Sequence, residues 1–144
     1  LQITGHSLGG SMASIAAAMI VKEQLWQADK IRVVTFGEPR TGNGEYSATM
    51  AANIPNMHRV VHLNDVVVHK PWAMWGYKHT QQEIYYDNDM SDFSAFVACN
   101  DSEEEDLNCS DRDSFLKRNV GDHITYYGLV VSAYGMQGCT GTTK

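Results

Sequence analysis

Positive charge is what this sequence most lacks. Lys and Arg total 11 against 17 Asp and Glu, a formal net charge of −6 over 144 residues. Nucleic acid is therefore a poor partner, because its phosphates demand a basic face. Electrostatic capture by anionic lipid headgroups is disfavoured on the same ground. A long apolar run is also missing: Met12 to Val21 is interrupted by Ser14 and is too short to cross a bilayer. There is no internal repeat, no initiating Met and no signal peptide. The chain opens at Leu1-Gln2-Ile3-Thr4 as if a strand were already under way, so it is expected to be a piece of something longer. What is present suits a globular core: 43% hydrophobic and 19% charged residues, in a length that allows one domain at most.

Cysteines are few. Cys99, Cys109 and Cys139 form no C-x-x-C and have no paired His, so no metal-ligand spacing exists. Cys99 and Cys109 bracket a short acidic loop and suit a local disulfide, which leaves Cys139 without a partner in the chain. Two glycosylation sequons, Asn100-Asp101-Ser102 and Asn108-Cys109-Ser110, fall in the same loop and with the cysteines point to secretion. The alternative is three reduced, buried thiols in a cytosolic protein.

Strands alternate with helices, the pattern of a parallel sheet in an α/β domain. After the opening strand, a helix is expected from Leu8 to about Trp26. There Leu8, Met12, Ile15, Met19 and Lys22 follow one face, and Ala13, Ala16 and Ala17 form a side small enough to lie close to a sheet. Ile31 to Phe36 reads as a buried strand, Glu45 to Asn53 as a short helix closed by Pro55, and His58 to Leu63 as the next strand. Gln82 to Tyr86 adds a strand, Asp87 to Asp113 a long acidic surface loop, and Asp122 to about Ser132 a final helix.

Chemistry enters at Gly5-His6-Ser7-Leu8-Gly9, which matches the G-x-S-x-G nucleophile elbow of α/β-hydrolases. The pattern alone recurs by chance, and a plain Gly-Ser turn is its bland alternative. A strand before it and a helix after it are what the mechanism requires. Ser7 is expected in strained dihedrals on a sharp turn, with Gly5 and Gly9 where a Cβ would collide. The Leu8 N–H at the helix N-terminus is expected to face a developing oxyanion.

A serine of ordinary pKa needs a base and an orienting acid, which in this fold follow in the order acid, then His. Asp65 ends the strand His58–Leu63 and is the preferred acid. Its rivals are Glu38, expected instead to form an ion pair with Arg40, and Asp87. Among six histidines, His6 adjoins Ser7 but points away from it. His58 and His62 share one strand face, and His69 and His79 come too early. His123, at the start of the last helix, is the expected base.

Asp87 to Asp92 imitates a calcium loop but carries Asp92 where Gly is needed and Ala98 at the closing carboxylate position. A solvated acidic loop is the better reading, both there and for Glu103-Glu104-Glu105-Asp106. Trp72, Met74, Trp75 and Tyr77 are either an apolar rim for an acyl chain or plain core aromatics.

Four segments together carry a resemblance: Gly5 to Gly10, Val34-Thr35-Phe36-Gly37-Glu38-Pro39-Arg40-Thr41-Gly42-Asn43, Arg59 to Val67, and Asp122 to Gly128. In this order and spacing they resemble the class 3 lipases, the fungal-type triacylglycerol lipases and their nematode relatives. The Tyr85-Tyr86 strand and the two-cysteine loop look most like the nematode members. The resemblance implies an α/β-hydrolase fold, of which residues 1–144 would be the C-terminal part. It implies ester hydrolysis with Ser7 as nucleophile, Asp65 as acid and His123 as base. It also implies secretion, a lipid ester substrate at a lipid–water interface, and Cys139 bridged to the N-terminal region. No cofactor and no metal are implied. The family's lid and second oxyanion donor lie N-terminal to the nucleophile strand, so these residues alone are expected to be weakly active or inactive. One lost donor costs about 100- to 1000-fold. A phospholipase A1, a feruloyl-type esterase and a non-catalytic lipid-binding relative are the rival functions.

Overall fold

The structure, a computed structural model, describes residues 1–91, 94–100, 106, 108–112 and 115–140. Its centre is a five-stranded sheet. Strand β1 (Gln2–His6) leads into helix α1 (Leu8–Lys22), then β2 (Arg32–Phe36), a two-residue β3 (Gly42–Asn43) and α2 (Gly44–Asn53). Strands β4 (Met57–His62), β5 (Tyr77–Lys78), β6 (Glu83–Tyr86) and β7 (Val97–Ala98) follow. The order across the sheet is β1-β2-β4-β6-β7; the first three pairings are parallel and the last antiparallel. This is the mostly parallel, helix-flanked sheet expected of an α/β-hydrolase fold.

Alternation along β2 shows how the layers form. Val33 and Thr35 are fully buried, and Val33 joins Ala17, Ile31, Met50, Ile54 and Met57 in one core. Val34 and Phe36 point to the other face and pack with Val60, Met90 and Tyr126. Helix α1 meets the sheet through Gly10, Ser11, Ala13, Ser14 and Ala17, whose small size permits the close approach. Its large apolar residues Leu8, Met12, Ile15 and Met19 are exposed. The helix stops at Lys22, short of Trp26.

The C-terminal region departs from a single helix. Instead α3 (Val120–Ile124) runs into a hairpin of β8 (Thr125–Tyr126) and β9 (Leu129–Val130), then α4 (Val131–Met136). The cause is local: Tyr127 and Gly128 both have positive φ, 52° and 71°, the signature of a two-residue type I′ turn. Cys99 and Cys109 form a disulfide packed with Val61, Val68 and Tyr85, and Cys139 is exposed and unbridged. Glu103 to Glu105, Asp92 and part of the first sequon lie outside the described residues. Asp106 is buried rather than solvated, and accepts from the main-chain N–H groups of Asn100 and Asn108. Met74, Trp75 and Tyr77 are exposed and so are not core residues, while Trp72 is half-buried.

Candidate active site

Parallel strands deliver their C-terminal ends to one edge, where α/β folds bind ligands. Ser7 follows β1, Gly37 follows β2 and Asp65 lies just beyond β4. Ser7 has φ 58° and ψ −129°, a conformation costing about 1–3 kcal/mol for a residue with a side chain. Strand β2 holds this turn through the Ser7 N–H bond to the Phe36 carbonyl at 2.9 Å. A Cβ on Gly5 would overlap the Gly9 carbonyl, so Gly is required there. At Gly9 a Cβ would meet open space, contrary to expectation. Leu8 begins α1, so its N–H is among the first-turn donors with no intrahelical acceptor.

His123 reaches this edge because its segment is bound to the one carrying Asp65. An isolated parallel bridge pairs Asp65 with Asn119, through Asn119 N–H to Asn64 O at 2.9 Å and Val66 N–H to Asn119 O at 3.2 Å. Asn119 then caps α3, its Oδ1 accepting from the Asp122 N–H at 2.9 Å. The Asp122 carboxylate accepts from the Asn64 N–H at 3.0 Å, and the Asp122 carbonyl accepts from His62 Nδ1 at 3.1 Å. Segments 58 residues apart in the sequence thus close on one another.

The result is a continuous hydrogen-bonded line. Ser7 Oγ lies 2.8 Å from His123 Nε2, and His123 Nδ1 lies 2.9 and 3.0 Å from the two Asp65 carboxylate oxygens. A carboxylate only accepts, so Nδ1 carries the hydrogen. In the neutral ring Nε2 is then free to accept from Ser7. Asp65 has no exposed surface, yet both its oxygens are satisfied. Oδ1 also accepts from the Val67 N–H and Oδ2 from the Tyr126 hydroxyl, each at 2.8 Å. Burial, and then the neighbouring Asp65 charge, hold the Tyr126 hydroxyl well above its ordinary ionisation, so it remains a donor.

The rival acids are engaged elsewhere. Glu38 is buried and accepts from the Thr35 and Thr41 hydroxyls at 2.6 and 2.8 Å, while Arg40 turns to Asp111. The expected Glu38–Arg40 pair gives way to these hydroxyl bonds. Asp87 pairs with Arg112. His69 and His79 are buried away from Ser7 and His58 lies in β4. His6 lies against His123, its ring stacked on the imidazole and its Nε2 bonded to the His123 carbonyl oxygen. Sequence reasoning gave no role to His6, Gly37, Asn119 or Tyr126; only the fold brings them to Asp65 and His123. Among the described residues one cluster has metal-ligand types, Glu83 with Cys99 and Cys109, and its two sulfurs are joined in the disulfide.

The comparison that decides the relationship is the family model for class 3 lipase, which matches residues 1–75 and so more than half the chain. The chain belongs to the class 3 lipase family. A lipase of Caenorhabditis elegans is 38% identical over 95% of this chain and 46% of its own length. The lipase of Rhizomucor miehei is 31% identical over 88% of this chain and 34% of its own. Among solved structures, a lipase from Rhizopus microsporus var. chinensis superposes with TM-score 0.80 at 29% identity, covering 90% of this chain and 44% of that one. A triacylglycerol lipase whose catalytic centre is described as a serine protease triad gives TM-score 0.77 at 28% identity, covering 90% and 48%. The chain spans about half the length of these relatives or less.

Proposed function

We propose that this class 3 lipase chain carries the catalytic residues of a serine carboxylic ester hydrolase of triacylglycerol lipase type. The observation that supports it most is the line from Ser7 through His123 to a buried, fully bonded Asp65. His123 Nε2 accepts the Ser7 proton as Oγ attacks the ester carbonyl. Asp65 holds the Nδ1–H tautomer and stabilises the imidazolium that forms. The Leu8 N–H donates to the oxyanion, aided by the dipole of α1. His123 then gives its proton to the departing alcohol. A water activated by the same nitrogen attacks the acyl-serine and releases the acid.

The substrate proposed is a lipid ester met at a lipid–water interface, and the protein is proposed to be secreted. Support comes from relatives with secreted and acylglycerol-directed names, such as a secreted mono- and diacylglycerol lipase of Fusarium solani, 35% identical over 59% of this chain. No helix among the described residues is long and apolar enough to span a membrane. Hydrolysis of emulsified triacylglycerol, phospholipid and soluble aryl esters by the protein in its full natural length tests the substrate. Preference for emulsified acylglycerols is expected. Preference for phospholipid or feruloyl esters would move the activity to another esterase class.

A further inference from the structure

His6 enters no step of the proposed chemistry, yet it grips His123 at two points. It is the last residue of β1, one position before the sharp turn at Ser7. That turn sends the two neighbouring side chains to different sides of the same imidazole. Ser7 Oγ meets its Nε2 edge, and the His6 ring lies against its face, with centroids 4.7 Å apart and planes 29° from parallel. His6 Nε2 also lies 2.8 Å from the main-chain carbonyl oxygen of His123. A carbonyl only accepts, so His6 donates from Nε2. Tyr126 closes the arrangement, its ring edge-on to His6 at 5.5 Å while its hydroxyl binds Asp65.

We propose that His6 is a positioning residue for His123, fixing the backbone of the base by a hydrogen bond and the plane of its ring by stacking. The inference rests on the reading of Ser7, Asp65 and His123 as the catalytic set. Its physical basis is the tolerance of proton transfer. The Ser7–His123 contact must stay near hydrogen-bond length, and a displacement of about 1 Å at a reacting group costs about 100-fold in rate. Asp65 fixes only the Nδ1 side of the ring. The His6 contacts restrain the rotation about that anchor which would carry Nε2 away from Ser7.

The charge on His6 matters too. The titratable groups facing it are His123 from α3, Tyr126 from β8 and Asp65 from beyond β4. Partial burial lowers its ionisation first, the His123 carbonyl bond works against this, the His123 charge lowers it further and Asp65 opposes. The outcome is below the ordinary imidazole range. A neutral His6 therefore backs His123 at neutral pH and adds no cation beside the imidazolium of the reaction.

The test uses the protein in its full natural length, with His6→Phe and His6→Gln assayed on a soluble p-nitrophenyl ester over pH 4 to 9. His6→Phe keeps a ring and loses the donor; kcat is expected to fall about 10- to 100-fold with KM little changed. His6→Gln can still donate to the carbonyl and is expected to recover much of that loss. It also removes the imidazole whose protonation would set a second cation beside His123, so the acid limb of its kcat/KM profile is expected to be shallower than that of the wild type. A wild-type kcat in His6→Phe overturns the proposal. So does an equal loss in both variants that follows their melting temperatures with an unchanged acid limb. Absence of fluorophosphonate labelling at Ser7 in the folded wild type fails the catalytic reading itself, and the role of His6 falls with it. Labelled wild type with an indifferent His6→Phe fails the His6 role alone.

Discussion

The Tyr126 hydroxyl donates to Oδ2 of Asp65 at 2.8 Å, on a carboxylate that has no contact with solvent. Water cannot readily replace that donor, and a hydrogen bond to a charged group is worth about 1.5–3 kcal/mol. Tyr126→Phe is therefore expected to lower kcat/KM about 10- to 100-fold while the protein still folds. Steady-state kinetics beside thermal melts check this. Unchanged turnover in a folded variant would show that Asp65 needs only His123 and the Val67 N–H.

Gly37 leaves no room for a side chain beside the site. Its φ is +59°, and a Cβ there would stand 2.7 Å from Asp65 Oδ2 and 3.0 Å from His123 Nδ1. Gly37→Ala adds left-handed backbone strain of about 1–2 kcal/mol and a steric wedge between the two groups. Loss of most esterase activity is expected, with a lower melting temperature. Chemical shifts of the His123 ring in the variant report the displaced Asp65 contact directly.

Glu38 gives a pH dependence whose sign is set by burial. Desolvation raises its carboxyl above the ordinary value, against the opposing pull of the Thr35 hydroxyl and the Arg59 charge. The folded state then holds a proton that the unfolded chain has released. Stability is expected to fall as pH rises from the ordinary carboxylate range through the raised folded value. Glu38→Gln removes that slope. Urea unfolding at pH 4 to 7 checks it, and identical slopes in the two proteins would contradict it.

Much of this was legible in the sequence because the decisive features are local. The elbow needs Gly5 before Ser7 and a helix after it, and the β-branched run before Gly37 could only be a buried strand. Asp65 and His123 could be chosen because chain order in this fold restricts acid and base. The C-terminal hairpin is hidden in the sequence because Ile124, Tyr127 and Val131 keep a helical rhythm while Tyr127-Gly128 turns the chain. The outward face of α1 was not evident either. Its large apolar residues and its small ones both repeat at helical spacing, and only the close approach to the sheet selects the small side. His6 and Gly37 acquire meaning from contacts across 117 and 28 residues, which no local pattern encodes.

The disulfide should support the fold without touching the site. Cys99 and Cys109 close a short loop, with a sequence separation of 10, packed on Val61, Val68 and Tyr85. Loop-closure entropy for such a ring is about 2–3 kcal/mol. Reduction is expected to lower the melting temperature, with labelling of Ser7 retained below the new transition. Loss of labelling in protein that remains folded would mean the loop also holds the Asp111 to His123 segment in place.

The central claim is that Ser7 is a nucleophile activated by His123. Its most direct measurement is covalent labelling of the folded, full-length protein by a fluorophosphonate, followed by identification of the modified peptide. The account predicts modification at Ser7, none in Ser7→Ala, and a labelling rate in Asp65→Asn reduced by about 10⁴, as a wrong imidazole tautomer would give. Folded protein that takes up no label, or labels elsewhere, would contradict it.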